Sequence, residues 1–289
     1  MSDPSLHAIE IHLLLEALRL RHGYDFSQYT RASLERRLLA LTETLGCASL
    51  LELLPRILQE EAFVTEIIAH LSVPVTEMFR EPATCLALRD RVFPYLATYP
   101  RIQIWLAGCA SGEEAYSLAI LLQEEGLLEQ TTLFATDIND PALNQAETGS
   151  LPLDRLQHAS RKYRLSGGKG SLLDHFHLQD QVATLHPDLM HKIVFAHHNL
   201  VTDRVFAETH LVYCTNVLIY FNAILRKRVL DLFRESLVRG GFLTLGAQES
   251  LAGSDVESHF REIDPGCRIY RLHPPKPASS LLPPLVPAS

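Results

Sequence analysis

Between residues 6 and 71 the apolar positions recur three and four apart: Ile9, Leu13, Leu14, Ala17 and Leu18, then Leu34, Leu38 and Leu41, then Leu50, Leu51 and Leu54, then Phe63, Ile67, Ile68 and Leu71. A helix returns to the same face at that spacing, and breaks at His22-Gly23, Gly46 and Pro55 divide the stretch into about four helices. The texture changes near residue 71. Beyond residue 100, runs at 101–107, 132–136, 193–196, 211–214 and 242–245 alternate with helical stretches. Several of these runs are apolar on both faces, so they predict strands of a parallel sheet covered by helices on each side. Residues 151–199 are the least periodic and, with the turn Ser166-Gly167-Gly168-Lys169-Gly170, predict an elaborated crossover or subdomain. Residues 273–289 hold six of the sixteen prolines and read as an unstructured tail.

Composition narrows the function classes. A length of 289 residues with 47% hydrophobic content supports one large domain beside a small one. With 26 Lys and Arg against 34 Asp and Glu the net charge is -8, which excludes a general nucleic-acid binder because phosphate neutralisation drives that affinity. Cys47, Cys85, Cys109, Cys214 and Cys267 include no CxxC pair and read as buried thiols in a reducing compartment. The first ten residues lack a secretory signal, and no run approaches the ~18 to 20 apolar residues of a membrane span. A soluble cytoplasmic protein is expected.

The densest chemistry lies between Ile102 and Glu114, where an apolar strand feeds the loop Gly108-Cys109-Ala110-Ser111-Gly112 and then a helix. In a doubly wound fold a cofactor crosses the strand ends there, and small residues let the backbone approach it. A tight structural turn is an equal reading of the loop alone. The spacing is not that of the dinucleotide fingerprint, and Glu113 and Glu114 at the helix start would repel a pyrophosphate while welcoming a cation. Asp137 stands at the end of the next strand, 25 residues beyond Gly112, where an acid grips ribose hydroxyls or else caps the turn to Pro141. Together these features favour S-adenosylmethionine, a sulfonium, over a dinucleotide.

The segments Val75 to Glu81 (VTEMFRE), Trp105 to Ser117 (WLAGCASGEEAYS), Ala135 to Ile138 (ATDI), His198-Asn199-Leu200 and Asn216 to Phe221 (NVLIYF) resemble, in that order, the CheR-type methyltransferases, which methylate glutamate side chains of bacterial chemoreceptors. The resemblance covers about residues 5–272. It implies an α/β fold: a Rossmann-like S-adenosylmethionine-dependent methyltransferase domain over residues 72–273, with a small β-subdomain about 165–195. An all-α receptor-docking domain would precede it over 1–71, and a Pro-rich disordered tail would follow over 274–289.

The same resemblance implies roles for single residues. Cofactor contacts fall on Thr76, Arg80, Gly108, Glu114, Asp137, Asn199, Leu200, Asn216 and Val217, with Asp137 on the ribose and Asn199-Leu200 by the adenine. Arg80 and Tyr220 match the residues nearest the transferring methyl group. Methyl transfer from a sulfonium to an ionised carboxylate needs neither acid nor base, so these two would orient the partners. On their own, Arg80 reads as a surface ion pair with Glu77 or Glu81, and Tyr220 as an aromatic packed beside Phe221.

Tyr29, Arg31, Arg36 and Arg37 surround Leu34 and Leu38, and helices matching this one carry a basic face in the family, so Arg31, Arg36 and Arg37 are expected to dock on the acidic cytoplasmic domains of methyl-accepting receptors. An exposed Arg31–Glu35 pair is the plainer alternative. Phe176-His177-Leu178 offers an edge strand for a receptor peptide. The protein is expected to be a monomer, recruited to receptor arrays at the inner membrane without inserting, and to bind neither nucleic acid nor metal. His175, His177, His186, His191, His197 and His198 match no zinc spacing. Departures from the family pattern are Pro74 in place of Asn, His210 in place of Asp, Thr215 in place of Arg, and Gly246-Ala247-Gln248-Glu249 in place of GHSE. They leave two rivals, a methyltransferase for another acceptor and a catalytically weak cofactor-binding adaptor in a chemosensory or pilus-linked array.

Overall fold

The computed structural model describes residues 6–72 and 76–273. Four helices form the first part: α1 (Leu6–His22), α2 (Arg31–Leu45), α3 (Leu54–Gln59) and α4 (Glu61–Leu71). Gly46 ends α2 at φ 67°, a left-handed position that glycine enters without a Cβ penalty. The apolar stripes foreseen at helical spacing meet in a core of their own, with Leu18, Leu38, Leu41, Ile57, Ile67 and Leu71 fully buried. Among the described residues no single helix is long and apolar enough to cross a membrane.

Two short helices, α5 (Pro82–Ala87) and α6 (Phe93–Leu96), lead into the sheet. The chain then runs β1 (Ile102–Ala107), α7 (Glu113–Glu124), β2 (Thr131–Asp137), α8 (Asp140–Glu147), β3 (Ser150–Pro152), α9 (Leu153–Leu165), β4 (Phe176–Gln179) and β5 (Val182–Leu185). It closes through α10 (Pro187–Met190), β6 (Ile193–His197), β7 (Thr209–Cys214), α11 (Ala223–Ser236), β8 (Leu237–Leu245), β9 (Phe260–Asp264) and β10 (Ile269–Leu272). Seven strands form one sheet in the order β6-β2-β1-β7-β8-β10-β9. The first five pair in parallel, and β10 and β9 add antiparallel at one edge. The order reverses between β1 and β7, so the loops leaving those two strands part and open a crevice.

Alternation along β1 sends Ile102, Ile104 and Leu106 into one core layer and Trp105 and Ala107 into the other, beneath α11. The strand over 242–245 is longer than the apolar run suggested: β8 starts at Leu237, with Gly240 and Gly241 interrupting its pattern. The non-periodic region holds a second sheet in the order β3-β5-β4, which begins at Ser150 rather than near residue 165 and ends at Leu185. Arg89 ties this region to α7. It is buried, its Nε donates to Ser166 O at 2.9 Å, and its guanidinium pairs with Glu124 and Glu125. Cys85, Cys109 and Cys214 are buried thiols as expected, whereas Cys47 and Cys267 are partly exposed. Pro74 and the Pro-rich tail lie outside the described residues.

Candidate cofactor and acceptor site

A cavity of about 320 Å³ opens at the crevice between the β1 and β7 loops. Thr76, Arg80, Gly108, Glu114, Asp137, Asn199, Leu200, Asn216, Val217 and Tyr220 all line it, although they come from five separate stretches of chain. Backbone geometry explains much of the convergence. Gly108 holds φ 80°, and a Cβ there would meet Val217 Cγ2 at 2.4 Å. The close approach that this glycine allows is therefore to the β7 loop, not only to a ligand. Gly112, at φ 94°, is the N-cap of α7, and a Cβ there would strike Tyr116 Oη and Ala146 Cβ, each at 2.9 Å. Phe79 is buried at φ 50°, strained for an aromatic residue, with its N–H donating to Ser117 Oγ at 2.9 Å. The neighbouring Arg80 is thereby turned into the cavity.

The two glutamates at the start of α7 divide. Glu113 is buried away from the cavity, accepting from Ser111 Oγ at 2.8 Å and lying 3.4 Å from Arg155. Glu114 faces inward and accepts from Thr215 Oγ1 at 2.9 and 3.1 Å. Burial pushes its carboxyl up to about 7, against the opposing pull of the Thr215 hydroxyl and the Arg80 charge. Thr215, which stands where the family carries arginine, thus has a defined partner. Asp137 fulfils its reading as a turn cap. Its Oδ1 caps the turn through Asn139 N (2.9 Å), its Oδ2 accepts from Ala110 N (2.8 Å), and the residue still lines the cavity. Burial raises it above its ordinary value as well.

Arg37 is placed otherwise than on a shared docking face. Arg31 and Arg36 are exposed on α2, whereas Arg37 is half-buried and lines the cavity. Its Cζ sits 4.6 Å above the Tyr220 ring, its Nη1 donates to Leu71 O, and its Nη2 is buried with no partner. Glu35 lies 3.7 Å from His7 of α1 rather than serving Arg31. Arg80 lines the cavity, while Glu77 binds Lys162 at 2.5 Å and Glu81 accepts from Thr84 Oγ1 and Ala247 N, each at 3.1 Å. Tyr220 lies in a 3-10 turn, Leu218–Tyr220.

The helical part reaches this turn directly. Thr30 N donates to Tyr220 O at 2.8 Å, Asn222 N to Gln28 O at 2.9 Å, and the Tyr29 and Phe221 rings meet edge-on at 5.0 Å. A residue that sequence reasoning assigned no role holds the turn from the other side. Glu249, 4% exposed, accepts from the backbone N–H groups of Gly246 (2.8 Å), Asn216 (3.1 Å), Val217 (3.0 Å) and Leu218 (2.7 Å). Its signal was the acid three positions after Gly246. His198 and Tyr29 line the cavity too, likewise without an assigned role.

Unmatched polar atoms describe the ligand that fits. Thr76 Oγ1, Asn216 Nδ2, His198 Nδ1 and Arg37 Nη2 are buried without partners among the described residues, and all four residues line this cavity. Buried polar groups are rarely left so, because each costs about 1–3 kcal/mol. With the carboxylates of Glu114 and Asp137 for a cationic group, the donors Asn216 Nδ2 and Arg37 Nη2 for a carboxylate or hydroxyl, and the ring nitrogen of His198, the lining suits a cationic ligand that also carries hydroxyl, amine and carboxylate groups. Residues 74–266 match the family model described as CheR methyltransferase, SAM binding domain, and residues 9–72 match the CheR methyltransferase, all-alpha domain. Cher3 of Pseudomonas putida is 43% identical over 91% of this chain and 96% of its own. A chemotaxis protein methyltransferase of Listeria monocytogenes is 28% identical over 79% and 85%, and chemotaxis protein methyltransferase 1 of Vibrio cholerae is 32% identical over 68% and 72%.

Proposed function

The chain belongs to the CheR methyltransferase family, and from that premise we propose that it transfers methyl groups from S-adenosylmethionine to glutamate carboxylates of chemoreceptors. The observation that carries this reading is Arg37 beside Tyr220: a half-buried guanidinium, packed on the Tyr220 ring, lines the cavity and offers positive charge to an incoming carboxylate. S-adenosylmethionine, when bound, would supply a methyl group on a sulfonium, with a neutral thioether as the leaving group. Asp137 holds the ribose hydroxyls, and Glu114 with the Asn216 amide holds the amino-acid end. Arg80 and Tyr220 orient donor and acceptor, and Arg37 receives the carboxylate. A glutamate is ionised at pH 7, so no proton needs to move, and orientation alone is worth up to about 7 to 11 kcal/mol in favourable cases. Arg31 and Arg36, exposed at the start of α2, present positive charge to an acidic receptor helix. The partners on this reading are receptor cytoplasmic domains, met by a cytoplasmic protein recruited to their arrays.

The test incubates the full chain with methyl-labelled S-adenosylmethionine and a receptor cytoplasmic fragment. Label released by mild base is expected, the behaviour of a glutamyl methyl ester. Base-stable label would point to another acceptor, and cofactor binding without label to an adaptor.

A further inference from the structure

We propose that His198 reads the adenine of the cofactor, its Nδ1 accepting a hydrogen bond from the exocyclic amine. The idea rests on the cofactor reading of the cavity and adds a specificity-determining residue to it. His198 follows β6, one strand outward from Asp137 at the end of β2, while Glu114, Thr215 and Tyr220 gather on the β7 side. A ligand with its charged end among the latter and its ribose at Asp137 lays its base toward His198.

The tautomer follows from the partners. Nε2 lies 3.1 Å from Arg204 O, and a carbonyl can only accept, so Nε2 carries the proton. In the neutral ring Nδ1 is then an acceptor, and it is buried with no partner in a side chain 7% exposed. Trp105 and Phe206 brace the ring, at centroid distances of 5.2 and 5.3 Å, so it is not free to turn away. The neighbouring Asn199 has committed its acceptor: Oδ1 takes Val201 N at 2.9 Å, while its own N–H donates to Asp203 at 2.8 Å. An uncommitted acceptor on the braced ring of a cavity-lining residue matches the donor edge of adenine and opposes the O6 of hypoxanthine, which offers a second acceptor.

Calorimetric titration of the full chain with S-adenosylhomocysteine and with S-inosylhomocysteine tests this, with the fluorescence of Trp105, the single tryptophan, as a check on the fold around the ring. The adenosyl ligand should bind at least about tenfold tighter, the scale of one hydrogen bond to a buried group. In His198→Gln, whose longer amide still reaches Arg204 O but leaves no acceptor at the Nδ1 position, that preference should fall to about twofold or less. His198→Asn, which puts Oδ1 near the Nδ1 position, should keep most of it and guards against a Gln variant that fails to fold. Undiminished preference in His198→Gln, or no preference in the unmodified chain, overturns the assignment while leaving cofactor binding intact. No binding of S-adenosylhomocysteine at all overturns the cofactor reading as well.

Discussion

Glu114 is where burial and ligand charge oppose each other most directly. Its carboxyl titrates near about 7 in the folded chain, against 4.5 as the ordinary value, because the ionised form is desolvated. The folded state therefore binds this proton more tightly than the unfolded chain does. The stability that follows is fully present below about pH 4.5 and is lost as pH rises through about 7. A sulfonium or ammonium group reverses the balance, since it favours the ionised carboxylate. Binding of S-adenosylmethionine should then release a proton near pH 6.5 and be up to about tenfold weaker at pH 6 than at pH 8, one pKa unit being about 1.4 kcal/mol. Calorimetry in two buffers of different ionisation enthalpy measures the proton count. Glu114→Gln should abolish the release, and a count unchanged by that substitution would remove Glu114 from the explanation.

Elements show how far the sequence could be read, and what stopped it. The inner strands β1, β2 and β7 were legible because a parallel strand between helix layers is mostly apolar on both faces, and the edge strand β6 because its run Ile193 to Ala196 is apolar although partly exposed. The antiparallel edge was not: in β9 (Phe260–Asp264) Phe260 is buried while Arg261 and Glu262 are exposed, so its pattern resembles a polar loop. Most cavity residues were legible through motif resemblance, but Glu249 was not, because its role exists only where β8 ends beside the turn after β7. One carboxylate there replaces the partners that four N–H groups lack, and burial raises it above its ordinary value. Glu249→Gln keeps one oxygen but turns an NH2 toward two of those donors. It should lose about 1–3 kcal/mol in thermal unfolding, and turnover should fall at least about tenfold with the Asn216–Leu218 backbone displaced. Unfolding and turnover both like the unmodified protein would show that the turn holds itself.

Across the whole molecule, two cores meet at the turn that carries Tyr220. The helical part contributes Thr30 and Gln28 as hydrogen-bond partners, Tyr29 as an aromatic contact and Arg37 as a cavity wall, so it completes the site as well as flanking it. The arginines of α2 consequently divide by function on the proposed reading. Arg31 and Arg36 remain free to attract a partner, in a chain whose net charge of -8 otherwise repels acidic surfaces, whereas Arg37 acts at the reacting carboxylate. Reversing both exposed charges, as Arg31→Glu with Arg36→Glu, should raise KM for a receptor fragment by about tenfold at low salt with kcat little changed. Raising ionic strength past 0.1 M, where the screening length is about 10 Å, should narrow that gap. Arg37→Ala should instead lower kcat at every salt concentration, because a carboxylate bound inside the cavity is shielded from bulk ions. Binding of S-adenosylhomocysteine should survive the double reversal, which keeps a lost docking surface distinct from a damaged cofactor site. If the Arg37→Ala defect proved as salt-dependent as the double reversal, the three arginines would form one docking face, and the carboxylate would need another receiver.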